Sequence, residues 1–211
     1  MNDLSPVLAG LGLGIALAGA PGPVQAILLA EALQGGAGRG FRAMFGANLT
    51  LGALLVALAL GVSIAVPSDP LLRGLKLVGG TFIVFLGIDG FRSANSASSV
   101  PGEPPRARSV KLPPAARGAL AVILNPPVWL FLATAASSLM ASATRAGGTR
   151  TALLAAVALS LGVAAGDGTL VLATGLGLRR ASSGVGRQLH RVLAVILLVL
   201  GASVIVSGLT S

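Results

Sequence analysis

Long apolar runs separated by short polar stretches set the pattern of this chain. Six runs stand out, over residues 4–34, 43–66, 70–91, 118–142, 149–177 and 188–208. A helix of about 20 apolar residues crosses the hydrocarbon core of a bilayer, and each run reaches that length. Backbone N–H and C=O groups find no water there, so helix is the expected conformation in every run. The expected fold class is therefore all-α and integral to a membrane, with six transmembrane helices. Connections are short except over 92–117, where Ser-Ala-Asn-Ser-Ala-Ser-Ser is followed by Pro-Gly-Glu-Pro-Pro-Arg and Lys111-Leu-Pro-Pro. Such a polar, proline-rich stretch reads as a linker. The chain then divides into a first three-span unit (1–93), a linker (94–117) and a second three-span unit (118–211).

Two of the apolar runs are interrupted. Pro21, Gly22 and Pro23 sit in the middle of the first, and Pro126 and Pro127 follow Asn125 in the fourth. Each proline removes a backbone donor and crowds the preceding turn. A broken span belongs inside the protein or on a cavity, where the loosened groups find partners. The breaks fall at corresponding places in the two halves, as Pro21-Gly22-Pro23-Val24 and Asn125-Pro126-Pro127-Val128. The third runs also end alike, Leu86-Gly87 against Leu200-Gly201. Three spans is an odd number, so equivalent halves sit in the membrane with opposite orientation. Inverted repeats with interrupted spans at matching positions are the pattern of secondary transporters. Pro23 is expected to pair with Pro127 across the pseudo-two-fold axis.

Composition agrees with this and excludes several alternatives. The 211 residues are 54% hydrophobic and 10% charged, with mean hydropathy +0.90, whereas a soluble domain is about a quarter charged. One Trp and no Tyr leave a thin aromatic belt. The absence of Cys excludes disulfides, thiolate metal sites and Cys nucleophiles, and the single His190 excludes a His cluster. The start Met-Asn-Asp has no basic segment, so a cleaved signal peptide is not expected. The net charge of +9 lies between apolar runs, where topology explains it better than nucleic acid does. Of the 15 Lys and Arg, 11 (Arg39, Arg42, Arg92, Arg106, Arg108, Lys111, Arg117, Arg179, Arg180, Arg187 and Arg191) fall on one side. Arg73, Lys76, Arg145 and Arg150 fall on the other. Positive-inside bias puts the richer side in the cytoplasm and both termini outside. All these charges read as solvated topology anchors.

Ionisable residues within spans are costly and point to function. Asp167, in Gly162-Val-Ala-Ala-Gly-Asp167-Gly168-Thr169, lies about 15 Å from the cytoplasmic end of its run, near the midplane. It is the candidate proton-coupling carboxylate, or the partner of a substrate ammonium. Glu31, nearer the cytoplasmic end, either guards the inner mouth or faces interfacial water. Asp89 is read as an interfacial ion pair with Arg92. Gln25, Asn48 and Asn125 reach similar depth and join Asp167 in the candidate site. Thr50, Thr134 and Thr169 complete the uncharged set, any of which serves equally as interhelical glue. Amides freed near Val24 and Val128 would receive a carboxylate, and Asp167 an ammonium, which suits a zwitterion.

Pro-Gly-Pro in the first run, Gly35-Gly36 to Gly52, Leu86-Gly87, and Leu124-Asn125-Pro126 resemble, in the same order, the LysE/RhtB family of lysine and threonine exporters. The resemblance implies a six-span inner-membrane exporter of amino acids or related small metabolites, driven by proton antiport. Here Pro127 stands where the family commonly has Lys, so a lysine-type or threonine-type substrate is not carried over. A metal-ion or other cation exporter and a non-transport assembly protein are the alternatives, and one intramembrane Asp with no Cys is a poor transition-metal site. An enzyme is not expected: no nucleophile–base constellation occurs, Gly35-Gly36-Ala37-Gly38-Arg39-Gly40 lacks the Lys-Ser/Thr ending of a phosphate loop, and a flexible turn explains it. No cofactor or metal is expected. The expected partners are a small-molecule substrate, protons and the lipid bilayer, with no nucleic acid, and a homo-oligomer is compatible with the sequence.

Overall fold

A computed structural model describes residues 4–20, 22–64, 67–96, 112–180 and 183–210. Pro21, the linker residues 97–111 with Arg106, Arg108 and Lys111, and the side chains of Arg92, Arg179, Arg180, Arg187 and His190 lie outside the described residues. The described chain is helical, in the order α1 Ser5–Gly19, α2 Pro23–Ala59, α3 Asp69–Ser96, α4 Pro114–Ile123, α5 Pro126–Phe131, a π-turn Leu132–Ala136, α6 Ser137–Arg180 and α7 Ser183–Leu209. Four stretches are long and apolar enough to cross a membrane: Pro23–Ala59, Asp69–Asp89, Pro126–Gly175 and Arg191–Leu209. The first and third of these, at 37 and 50 residues, exceed the length of one span.

Each is divided by a glycine pair. Gly35 and Gly36 take φ/ψ of −143/22 and 75/−179, and Gly147 and Gly148 take −164/27 and 70/−169. The dihedrals match, so both pairs make the same helix–helix turn. Only glycine takes φ near +70° with extended ψ at little cost. After the first turn the chain folds back, because Gly40 packs against Ala32 and Arg39 bonds Glu31. The expected second span, 43–66, is therefore helix from 37 to 59, and the flexible turn expected over Gly35–Gly40 is confined to the glycine pair. The chain leaves the helix at Gly61, where φ is 90°. The linker is shorter than 92–117, since α3 runs to Ser96 and α4 begins at Pro114.

Both proline breaks are resolved by the same local chemistry. A helix through Pro126 and Pro127 would leave the carbonyls of Val122 and Ile123 without donors. The Asn125 N–H takes Val122 O at 3.2 Å, and the only Trp of the chain, Trp129, gives its indole N–H to Ile123 O at 2.7 Å. At the first break the Ala20 N–H takes Leu17 O at 3.2 Å, the carbonyl that Pro21 cannot serve. Helix resumes with Pro23 and with Pro126 in the first position, where a missing N–H costs nothing. Pro23 and Pro126 therefore each open the helix that follows its break.

The helices pack in pairs: α1 with α6, α4 with α2, α3 with α7, and α2 with α6. Interchanging the halves leaves this set unchanged. Small residues make the approaches close. A Cβ on Gly10 would sit 2.6 Å from Ala155 O, and Gly46 and Gly118 abut the backbones of Ala115 and Ala43. Gly80 and Gly201 meet reciprocally, each with the other's carbonyl at 2.9 and 2.8 Å from a Cβ built on it. Large apolar side chains such as Leu8, Phe45, Leu161 and Val199 are exposed, as expected of a surface that meets lipid.

Candidate functional site

Where the two breaks meet, the bundle holds a cavity of about 180 Å³. Its walls come from both halves: Gly22, Pro23 and Gln25 at the first break, Asn125, Pro127 and Val128 at the second, Asn48 from α2 and Asp167 from α6. Leu17, Leu51, Val122 and Val163 make the rest largely apolar. A second cavity of about 130 Å³, between the breaks and α3 and α7, shares Gly22, Pro23, Asn125 and Pro127. The structure thus brings Asp167, Asn125, Asn48 and Gln25 to one place. Glu31 lies elsewhere. Thr50, Thr134 and Thr169 bond carbonyls of their own helices at 2.9, 2.6 and 2.7 Å, a local role in place of interhelical glue.

Asp167 is 1% exposed and Asn125 6%. The Asn48 amide donates to Asp167 Oδ2 at 3.3 Å and to Met44 O at 3.2 Å, joining α2 to α6. Asn48 Oδ1, Asn125 Oδ1 and Asp167 Oδ1 are buried without a hydrogen-bond partner. Unmet buried acceptors are costly, and these three leave lone pairs open to a donor. The amide expected to be free near Val128 is taken, because Val128 N–H bonds Asn125 O at 3.0 Å and the two residues before it are prolines. At the first break Ala26 N–H uses Gly22 O at 3.0 Å, and the amides of Val24 and Gln25 precede that first intrahelical donor.

Glu31 does not face interfacial water. It is 1% exposed, and Arg117 Nη1 donates to its Oε1 at 2.8 Å while Arg39 Nε donates to its Oε2. Arg117 Nη1 also reaches Asp89 Oδ2 at 3.4 Å. Asp89 is therefore bound to Arg117, and the expected partner Arg92 has its side chain outside the described residues. Arg117 is not a solvated anchor, being 1% exposed. The sequence carried a signal for this. Arg117 and Arg39 stand in or next to the first turn of helices, where the dipole opposes a cation, and Glu31 stands in the last turn before Gly35, where it opposes an anion. Charges at the wrong helix ends need each other. Among the described residues, no three His, Cys, Asp or Glu side chains come together as metal ligands.

The fold is that of a multi-pass membrane protein. The chain belongs to the LysE type translocator family, whose model matches residues 15–208. It is also similar to an uncharacterized membrane protein of Pseudomonas aeruginosa, 36% identical over 75 residues. That match spans 35% of this chain and 35% of the relative's length. No solved structure matches the chain.

Proposed function

We propose that the protein is a secondary exporter of small amino acids or related zwitterionic metabolites, coupled to proton entry. The observation that carries this reading is the set of three partnerless acceptors, Asn48 Oδ1, Asn125 Oδ1 and Asp167 Oδ1, on one mostly apolar cavity. A primary ammonium has three N–H donors and one positive charge, and matches three acceptors of which one belongs to a carboxylate. The carboxylate of a zwitterion would lie toward Gln25 and the start of the helix at Pro23. Apolar walls leave room for an aliphatic side chain. Pro127 in this wall removes the family's cation, which favours a neutral substrate. The helix pairing that survives exchange of the halves supports two inverted three-span repeats around this site. The 11 against 4 distribution of Lys and Arg supports an inner-membrane orientation with both termini outside, and a C-terminal reporter found in the cytoplasm would reverse it.

Inverted vesicles separate the roles of Asp167. Asp167→Asn keeps size and the Asn48 contact while removing the charge. It is expected to abolish gradient-driven transport of amino acids and to weaken counterflow without a pH gradient, because the ammonium loses its charged partner. Intact counterflow would restrict Asp167 to proton coupling and move the ammonium away from it. Normal gradient-driven transport would sink the proposal.

A further inference from the structure

We propose that Arg117, with Glu31, Asp89 and Arg39, is an ionic latch that closes the cytoplasmic entrance to the cavity. This rests on the exporter reading above, and its test needs no substrate. The cluster and the cavity lie on the same helices, displaced in one direction. Glu31 is about 9 Å along its helix from Gln25, Arg117 about 12 Å from Asn125, and Arg39 about 13 Å from Asn48. Ile27 and Leu28, 1% and 0% exposed, fill the intervening turn. The direction leads to the Gly35–Gly36 turn and to the ends where α3 leaves the bundle and α4 enters it, the side rich in Lys and Arg.

The latch joins elements that belong to different halves. Glu31, Arg39 and Asp89 come from the first three spans, and Arg117 from the start of the fourth. A rocking of one half against the other would separate Arg117 from its two carboxylates. Ion pairs suit a contact that must break: opened to water, each partner regains hydration, so the loss of attraction is offset. An apolar seal would have no such compensation. At the opposite end of the bundle Lys76 Nζ donates to Ser207 O at 3.4 Å, joining α3 to α7, and Arg145 and Arg150 there are exposed. Among the described residues the buried ion pairs lie on the side from which an exporter loads.

The chain has no Cys, so a single reporter thiol reads access without background removal. Val122→Cys places it on the cavity wall. Labelling with a membrane-impermeant maleimide is followed in inside-out and right-side-out vesicles. Arg117→Gln should raise the rate at least tenfold in inside-out vesicles and leave it unchanged or lower in right-side-out ones. Arg117→Lys, which keeps the charge, should stay within about threefold of the parent. Asp89→Asn, which spares the Arg117–Glu31 pair, should give a severalfold rise, and it carries the test if Arg117→Gln fails to insert. Unchanged rates in the inserted variants overturn the latch. So does an equal rise from both faces, which is general loosening, or a rise confined to right-side-out vesicles. If labelling behaves as expected while no amino acid is transported, the latch stands and the substrate reading falls.

Discussion

Asp167 and Glu31 are buried alike, each 1% exposed, and their partners differ. Glu31 holds two arginines, one of them itself fully buried. Asp167 is held by neutral amides, Asn48 with Gln25 beside it, and its Oδ1 has no hydrogen-bond partner. Charge at Glu31 is balanced by the protein's own arginines, whereas the groups that bond Asp167 are neutral. Burial alone does not identify a binding site. A buried carboxylate balanced by arginines differs in kind from one beside a cavity whose partners are neutral amides. The same contrast separates the asparagines from the threonines: the threonine hydroxyls are spent on their own helices, while two asparagine oxygens remain open.

Neutralising the two carboxylates is the sharpest way to break this comparison. Glu31→Gln leaves Arg117 buried with only part of its counter-charge, and removing one partner of a buried pair costs about 3–5 kcal/mol. Asp167→Asn removes an unbalanced charge and should leave stability within about 1 kcal/mol of the parent, or raise it. Thermal unfolding in detergent should rank Glu31→Gln far below Asp167→Asn. Equal losses would mean that Asp167 has a compensating partner, and the unbalanced reading would fail.

The contrast also explains what could be read in the chain beforehand. Apolar runs and proline breaks were legible because hydrocarbon admits only helices, and because the prolines fall at matching places. Helix limits were less so. Residues 37–42 hold two arginines and two glycines, yet they form the first turns of a helix. Val62 and Ile64 are apolar, yet they follow the left-handed Gly61 that ends one. The cavity residues Gln25, Asn48, Asn125 and Asp167 stood out as rare polar groups in apolar surroundings. The Glu31–Arg117 cluster did not, since its arginine sat where topology already accounted for basic residues. Only its unfavourable place at a helix start betrayed it. The role of Trp129 as donor to Ile123 O was hidden for a different reason: a lone Trp reads as an interface anchor until the break brings an orphan carbonyl to it.

A smaller effect sharpens the cavity side. Asn48→Ala removes an amide donor to Asp167 and one of the three open acceptors. A hydrogen bond to a charged group is worth about 1.5–3 kcal/mol, so uptake into inverted vesicles at subsaturating substrate should fall about tenfold or more. Asn48→Asp in its place should not restore transport, because it sets a second carboxylate beside the first. If Asn48→Ala transports at the parental rate, Asn48 only ties α2 to α6.

The smallest expected effect separates the two arginines of the latch. Arg39 has 28% of its side chain exposed, against 1% for Arg117. Its pairing with Glu31 is therefore exchanged with water and screened, and such pairs contribute about 0–1 kcal/mol. Arg39→Gln should lower stability by that amount at low salt, and by less at about 0.5 M salt, where the screening length is well under 10 Å. The Arg117 pair lies beyond the reach of ions, so the loss in Arg117→Lys should not change with salt. Melting of both variants across a salt series reads this directly. A salt-sensitive Arg117→Lys would place water in the heart of the cluster. A salt-insensitive Arg39→Gln would make Arg39 part of its buried core, and Glu31 would then owe its balance to two interior cations.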